Sequence, residues 1–268
     1  MGPYSRLLSL GREKNLSGDD IPYATGPTRR LDVYRTEDGQ NLPVIIFFFG
    51  GGWHHGDKAA YHYVGRALAR AGFITVVPNY RLYPEVRFPD FLTDAALAVR
   101  WVADHIASYG GDPNQIYLIG YSSGAHIASL LTTDKRYLAQ IGAQPPRGMI
   151  GISGPYDFRL YNQSQRQTFA GTPRARWLPI AHVDGSEPPM LLIQGTRDKI
   201  VDPGNTTRFA ARIRAKGGRA KVRFYPVGHF APLLSFSPLF RWLSPTLRDS
   251  VGFMKSLSTR QPSGAELG

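Results

Sequence analysis

From Gln115 to Ser129 the chain reads as an apolar strand, Gln-Ile-Tyr-Leu-Ile. It runs without a linker into Gly120-Tyr121-Ser122-Ser123-Gly124 and then into small residues of helical character. A serine framed in this way sits on a strand-to-helix turn too tight for bulk at the flanking positions, and Gly120 and Gly124 supply the missing side chains. The turn holds the Ser122 hydroxyl at the end of a sheet strand. There the free N–H groups of a helix N-terminus face incoming negative charge.

The rest of the chain alternates in the same manner. Apolar runs predict strands near residues 31–35, 44–49, 73–78, 115–119, 148–153, 190–194 and 221–226, and helical periodicity predicts helices near 59–71, 91–108, 123–132, 205–216 and 244–257. This pattern implies one α/β domain over residues 1–268, a mostly parallel sheet covered by helices on both faces. At 268 residues such a domain buries roughly three quarters of its unfolded surface. Residues 1–28 are expected to be peripheral and 258–268 a disordered tail, both being rich in Gly, Pro, Ser and charge. The stretch from Phe158 to Pro188 leaves room for a small lid, and residues 1–30 are all that is available for an N-terminal cap, so a small or absent cap and an open pocket are expected.

Two further strand ends carry chemistry. Met190-Leu191-Leu192-Ile193-Gln194-Gly195 leads to Thr196-Arg197-Asp198, and Lys221 to Pro226 leads to Val227-Gly228-His229-Phe230. Ser122, Asp198 and His229 thus each follow a predicted strand, in the chain order of a nucleophile, an orienting acid and a general base. His54, His55, His62, His105, His126 and His182 are rivals for the base, and Asp202 for the acid. Only His229 stands after a late strand in Gly-x-His form. After Val44 to Phe49 comes Gly50-Gly51-Gly52-Trp53, whose bare backbone can approach a substrate oxygen. Its N–H groups at Gly51 and Gly52, with that of Ser123, are the candidate oxyanion donors. Trp53, Tyr121, Tyr156 and Phe230 flank these loops and are candidate substrate-pocket walls, although aromatic residues near strand ends also serve as core.

These segments resemble the α/β-hydrolase superfamily, in its bacterial carboxylesterase branch related to hormone-sensitive lipase and feruloyl esterases. The triple-glycine loop, Pro78-Asn79-Tyr80-Arg81-Leu82, Phe88-Pro89, Asp94, Gly110-Gly111-Asp112-Pro113 and Gly228-His229 carry the likeness, from about Arg30 to Ser256. The resemblance implies a Ser-His-Asp hydrolase acting on carboxylic esters of short-chain or aryl type, through an acyl-enzyme and without cofactor or metal. An arylformamidase or amidase chemistry with the same triad is the alternative, and a non-catalytic binding member of the fold is a more remote one. In this branch a histidine usually precedes the glycines, and its side chain props the loop. Phe49 stands there instead, and is expected to be buried, holding the loop by packing.

Composition narrows the remaining classes. Absence of cysteine removes disulfides, thiolate metal sites and a cysteine nucleophile. The net charge of +12 raises polyanions as partners, but the basic residues are scattered. The densest group, Arg208 to Arg223, spans a helix and the next strand and reads as a solvated face, with no nucleic-acid-binding motif beside it. No apolar run approaches a membrane span, so stable membrane insertion is not expected, and a cytoplasmic location is expected unless a leader has been removed. Homodimerisation stays open.

Overall fold

The computed structural model describes residues 16–36 and 39–258. Its frame is one eight-stranded sheet. The strands are β1 (Leu16–Pro22), β2 (Arg30–Tyr34), β3 (Leu42–Phe48), β4 (Ile74–Pro78), β5 (Gly111–Tyr121), β6 (Gly148–Ile152), β7 (Met190–Gly195) and β8 (Ala220–Tyr225). They lie in the order β1-β2-β4-β3-β5-β6-β7-β8, antiparallel at β1/β2 and β2/β4 and parallel from β4 to β8. Five longer helices accompany it: α1 (His62–Arg70), α2 (Asp90–His105), α3 (Ser123–Thr133), α4 (Gly204–Ala215) and α5 (Thr246–Ser258).

The central strands are apolar at nearly every position because both faces are covered, as expected for parallel strands between helix layers. Val44 to Phe49, Leu118, Ile119, Met149, Ile150 and Leu191 to Ile193 are buried, and Ile46 pairs with Leu118, Leu118 with Met149, and Ile150 with Leu191. Parallel pairing sends every one of these strands out at the same sheet edge. The segments after β3, β5, β7 and β8 therefore converge there.

β1, at the edge of the sheet, is a strand that the sequence reading did not foresee within the peripheral first 28 residues. Leu16–Pro22, with Gly18-Asp19-Asp20 at its centre, has no alternating apolar pattern, and its register with β2 is interrupted twice. Pairing with β2 defines it, aided by Asp20 N–H donating to Asp32 Oδ1 at 2.9 Å. The expected tail lies outside the described residues except Ser258, which closes α5. Between β6 and β7 the chain forms only short helical turns, Gln163–Thr168, Arg174–Trp177 and Pro179–His182.

Candidate active site

β5 delivers Ser122 to the sheet edge with φ 53° and ψ −120°, a backbone conformation that costs an ordinary residue about 1–3 kcal/mol. Packing enforces it. A Cβ on Gly120 would overlap the Gly124 carbonyl, and one on Gly124 would overlap the carbonyls of Phe48 and Phe49, so only glycine allows α3 to start so close to β3 and β5. Ser122 N–H is fixed by a 2.8 Å bond to Ile152 O.

His229 Nε2 lies 3.1 Å from Ser122 Oγ, and His229 Nδ1 lies 2.7 Å from Asp198 Oδ2. With Nδ1–H donating to the carboxylate, Nε2 is left as the acceptor for the Ser122 hydroxyl. The acid is held from several sides: Gln194 Nε2 donates to Asp198 Oδ2 at 2.8 Å, and Ile200 and Val201 N–H donate to Oδ1 at 2.8 and 2.9 Å. Burial opposes ionisation of Asp198, but the bonds from His229, Val201 and Ile200 outweigh it and hold the carboxyl below its ordinary range. Asp202 is separate from this line. Its exposed side chain accepts from Gly204 N–H and faces Arg208.

The glycine loop is oriented through its carbonyls. In a trans peptide the C=O and the next N–H point in opposite directions, so an anchored carbonyl aims the following donor. Tyr61 Oη donates to Gly50 O at 3.0 Å, which sets the Gly51 N–H. His54 and His55 N–H donate to Gly51 O at 3.2 and 3.0 Å, which sets the Gly52 N–H. Neither the Gly51 nor the Gly52 N–H has an acceptor among the described residues. A Cβ on Gly50 would lie 2.9 Å from Ser122 Cβ, so the loop rests directly against the serine.

Phe49 is fully buried, as its apolar neighbours predict. Its ring stacks between Tyr80, with centroids 4.5 Å apart, and Tyr61, at 5.3 Å, and Tyr80 Oη donates to Phe49 O at 2.6 Å. Two tyrosine hydroxyls thus grip the carbonyls of Phe49 and Gly50. In this chain they anchor the loop from below.

His126, one turn into α3, faces away from Ser122. Trp53 Nε1–H donates to its Nδ1 at 3.3 Å, and its Nε2–H donates to Trp177 O at 2.7 Å. Complete burial pushes its pKa down to about 4, which keeps the ring neutral. It ties the glycine loop to the segment between β6 and β7. Four of the five remaining rivals have hydrogen-bond partners of their own: His54 meets Ser164, His62 meets Ala59 O, His105 meets Trp101 O and His182 meets Arg176 O.

A cavity of about 100 Å³ opens beside Ser122, with Trp53, Phe158, Tyr161, Ile200 and Val201 as apolar walls and Gln165, Asp202 and Asn205 as polar ones. Gly52 and Ser123 line it as well. Three aromatic expectations resolve differently. Tyr156 is completely buried and stacked on Phe209, which removes it from the pocket. Tyr121 lies behind His229, its Oη donating to His229 O at 3.4 Å. Phe230 is exposed at the side of the His229 ring rather than in the cavity wall. Among the described residues no group of three His, Asp or Glu is placed to hold a metal ion.

Gln194, Tyr61 and the His126–Trp53 contact are supports of the candidate site that sequence reasoning missed. Only Gln194 left a signal, as the single polar side chain inside an otherwise apolar strand.

The chain matches the family model described as BD-FAE over residues 31–213. Esterase LipC of Mycobacterium tuberculosis is 31% identical over 232 residues, covering 76% of this chain and 55% of that protein. A probable isoprenylcysteine alpha-carbonyl methylesterase of Arabidopsis thaliana is 30% identical over 235 residues, covering 76% and 49%. The chain spans about half the length of these relatives. Among solved structures, a truncated form of carbohydrate esterase from gut microbiota superposes with a TM-score of 0.81 at 23% identity, covering 92% of this chain and 99% of that one. The apo form of Thermogutta terrifontis esterase 2 gives 0.77 at 23% identity, covering 92% and 97%. These likenesses establish a shared fold. With a matched segment running from β2 into α4, the chain belongs to the BD-FAE family and carries the α/β-hydrolase fold.

Proposed function

We propose that the protein is a carboxylic ester hydrolase that cleaves short-chain or aryl esters through Ser122, His229 and Asp198. The observation that carries this reading is the unbroken hydrogen-bonded line from Asp198 through His229 to Ser122, beside a glycine loop whose Gly51 and Gly52 N–H groups lack acceptors among the described residues. His229 takes the Ser122 proton as the hydroxyl attacks the ester carbonyl, and Asp198 stabilises the imidazolium that forms. The carbonyl oxygen becomes an oxyanion within reach of the N–H groups of Gly51, Gly52 and Ser123, each well-placed donor contributing about 3 kcal/mol. His229 then protonates the leaving alcohol. Water, activated by the same base, releases the acid and restores Ser122.

The cavity volume supports a short acyl group. At about 100 Å³ it is smaller than the ~150 Å³ cavity known to accept benzene, so about four carbons fill it. Labelling with a fluorophosphonate and assay on p-nitrophenyl acetate test the proposal. Ser122→Ala should abolish labelling and lower kcat by a factor on the order of 10⁴. Labelling at Ser123, or hydrolysis unchanged by the substitution, would sink it.

A further inference from the structure

Among the described residues six large apolar side chains are strongly exposed, and five of them gather at one end of the molecule. Tyr161 and Ile200 edge the cavity at Ser122, and Phe230 meets the His229 ring edge-on at 5.3 Å. Leu239 and Trp242, the latter 80% exposed, belong to the turn Pro238–Leu243, which packs on the short helix Ala231–Leu234 that follows Phe230.

α5 fixes the level of that turn. At its end Ser258 Oγ lies 3.0 Å from Tyr117 Oη, and Tyr117 pairs with Gly148, the first residue of β6. In its first turns Asp249 Oδ2 accepts from Tyr225 Oη at 2.8 Å, at the C-terminal end of β8. The helix therefore descends from the Ser122 edge of the sheet to the opposite edge. Pro238–Leu243, immediately before it, lies at the Ser122 edge.

The same loops are cationic. Arg197, Lys199 and Arg241 are exposed, and none has a carboxylate within ion-pair distance among the described residues. The nearby carboxylates are already engaged: Asp198 with His229, Asp202 with Arg208, and Asp249 in α5 with Arg223. A second copy of the chain seated here would set these cations against their own counterparts across a two-fold axis. An apolar fringe surrounded by unpaired cations, on a chain of net charge +12, instead complements a negatively charged amphiphilic surface.

We propose that this end of the molecule docks on an anionic lipid surface, with Trp242, Leu239 and Phe230 in the headgroup layer and Arg197, Lys199 and Arg241 against lipid phosphates. Tryptophan suits that depth because one side of the indole is apolar and its N–H is polar. Each cation strengthens partitioning about fivefold at such a surface. No described helix is long and apolar enough to cross a membrane, so the contact is adsorption. The mouth beside Ser122 then faces the layer, and esters dissolved in the layer are its substrates. This consequence rests on the esterase reading, whereas docking itself does not.

Sedimentation of the full chain with vesicles tests docking separately from hydrolysis. Binding to phosphatidylcholine vesicles containing about 30 mol% phosphatidylglycerol should exceed binding to pure phosphatidylcholine at least tenfold, and should fall steeply between about 0.1 and 0.5 M salt. Trp242 is the exposed tryptophan among four, so binding should shift the intrinsic fluorescence to the blue in the parent and not in Trp242→Ser. Leu239→Ser with Trp242→Ser should weaken partitioning about tenfold, and Lys199→Glu with Arg241→Glu at least about 25-fold. The Leu239, Trp242 and Arg241 substitutions should leave p-nitrophenyl acetate hydrolysis in vesicle-free solution unchanged. Ser122→Ala should bind vesicles like the parent even where it hydrolyses nothing. Equal binding to both vesicle types, or indifference to salt, would overturn the proposal. So would a solution dimer that Trp242→Ser dissolves, because the occupant would then be a second copy.

Discussion

Tyr61 Oη donates to the Gly50 carbonyl at 3.0 Å, and this one bond sets the direction of the Gly51 N–H on the far side of the same peptide. In the proposed reaction the hydroxyl would act through backbone orientation alone. Tyr61→Phe should therefore keep the ring stack on Phe49, cost about 1 kcal/mol of stability, and lower kcat about tenfold with little change in KM. Unchanged kcat would show that the loop holds its direction without the tyrosine.

Phe49→Ala removes a ring stacked on both sides, and the cavity should cost about 3 kcal/mol in urea unfolding. Because the carbonyls of Phe49 and Gly50 would lose their packed support, kcat should fall as well. A loss of stability without loss of rate would separate the core from the loop.

Asp198 and Asp202 are four residues apart yet chemically unlike. Asp198→Asn places an amide where His229 needs an acceptor and should lower kcat by about 10⁴, whereas Asp202→Asn should stay within about threefold. Gln194→Ala should fall between them, since it removes one donor to Asp198 and leaves those of Ile200 and Val201. Reversed effects at the two aspartates would mean that the orienting acid has been misassigned.

Acyl length is the direct readout of the cavity. Acetyl to butanoyl p-nitrophenyl esters should be hydrolysed at least about tenfold faster than dodecanoyl esters, because further methylenes gain about 0.8 kcal/mol each only where walls bury them. Rates rising steadily to palmitoyl in detergent-free solution would contradict the small pocket.

His126 makes stability depend on pH. Its folded pKa of about 4 lies below the ordinary histidine value, so the unfolded chain binds the proton first as pH falls. Its contribution is complete above about pH 6.5 and is lost between there and pH 4, about 2 kcal/mol of it by pH 5. Urea unfolding at pH 7 and pH 5 should show that slope, and His126→Gln should flatten it. An equal slope in both proteins would place the titrating group elsewhere.

The fold class was legible because its signals are local. A central parallel strand must be apolar on both faces, and each such run announces itself in a handful of neighbouring residues. Ser122, Asp198 and His229 could be picked out for the same reason, each standing just beyond a run of that kind. β1 could not, since Leu16–Pro22 lacks the pattern and becomes a strand only because β2 presents an edge to it.

What the chain's order of residues determined was therefore the alternation of strands and helices, the Gly-framed turn at Ser122 and the bare glycine loop. Tertiary structure alone decided which side chains meet. It brought Tyr61 and Tyr80 under the carbonyls of Phe49 and Gly50, placed Gln194 behind Asp198, turned His126 toward Trp53 and took Tyr156 into the core against Phe209. The physical reason is range. Periodicity and turn chemistry act over a few residues, whereas most of these contacts join positions 11 to 73 residues apart and depend on rotamers set by packing, so of these side chains only Gln194, polar in an apolar strand, left a local trace.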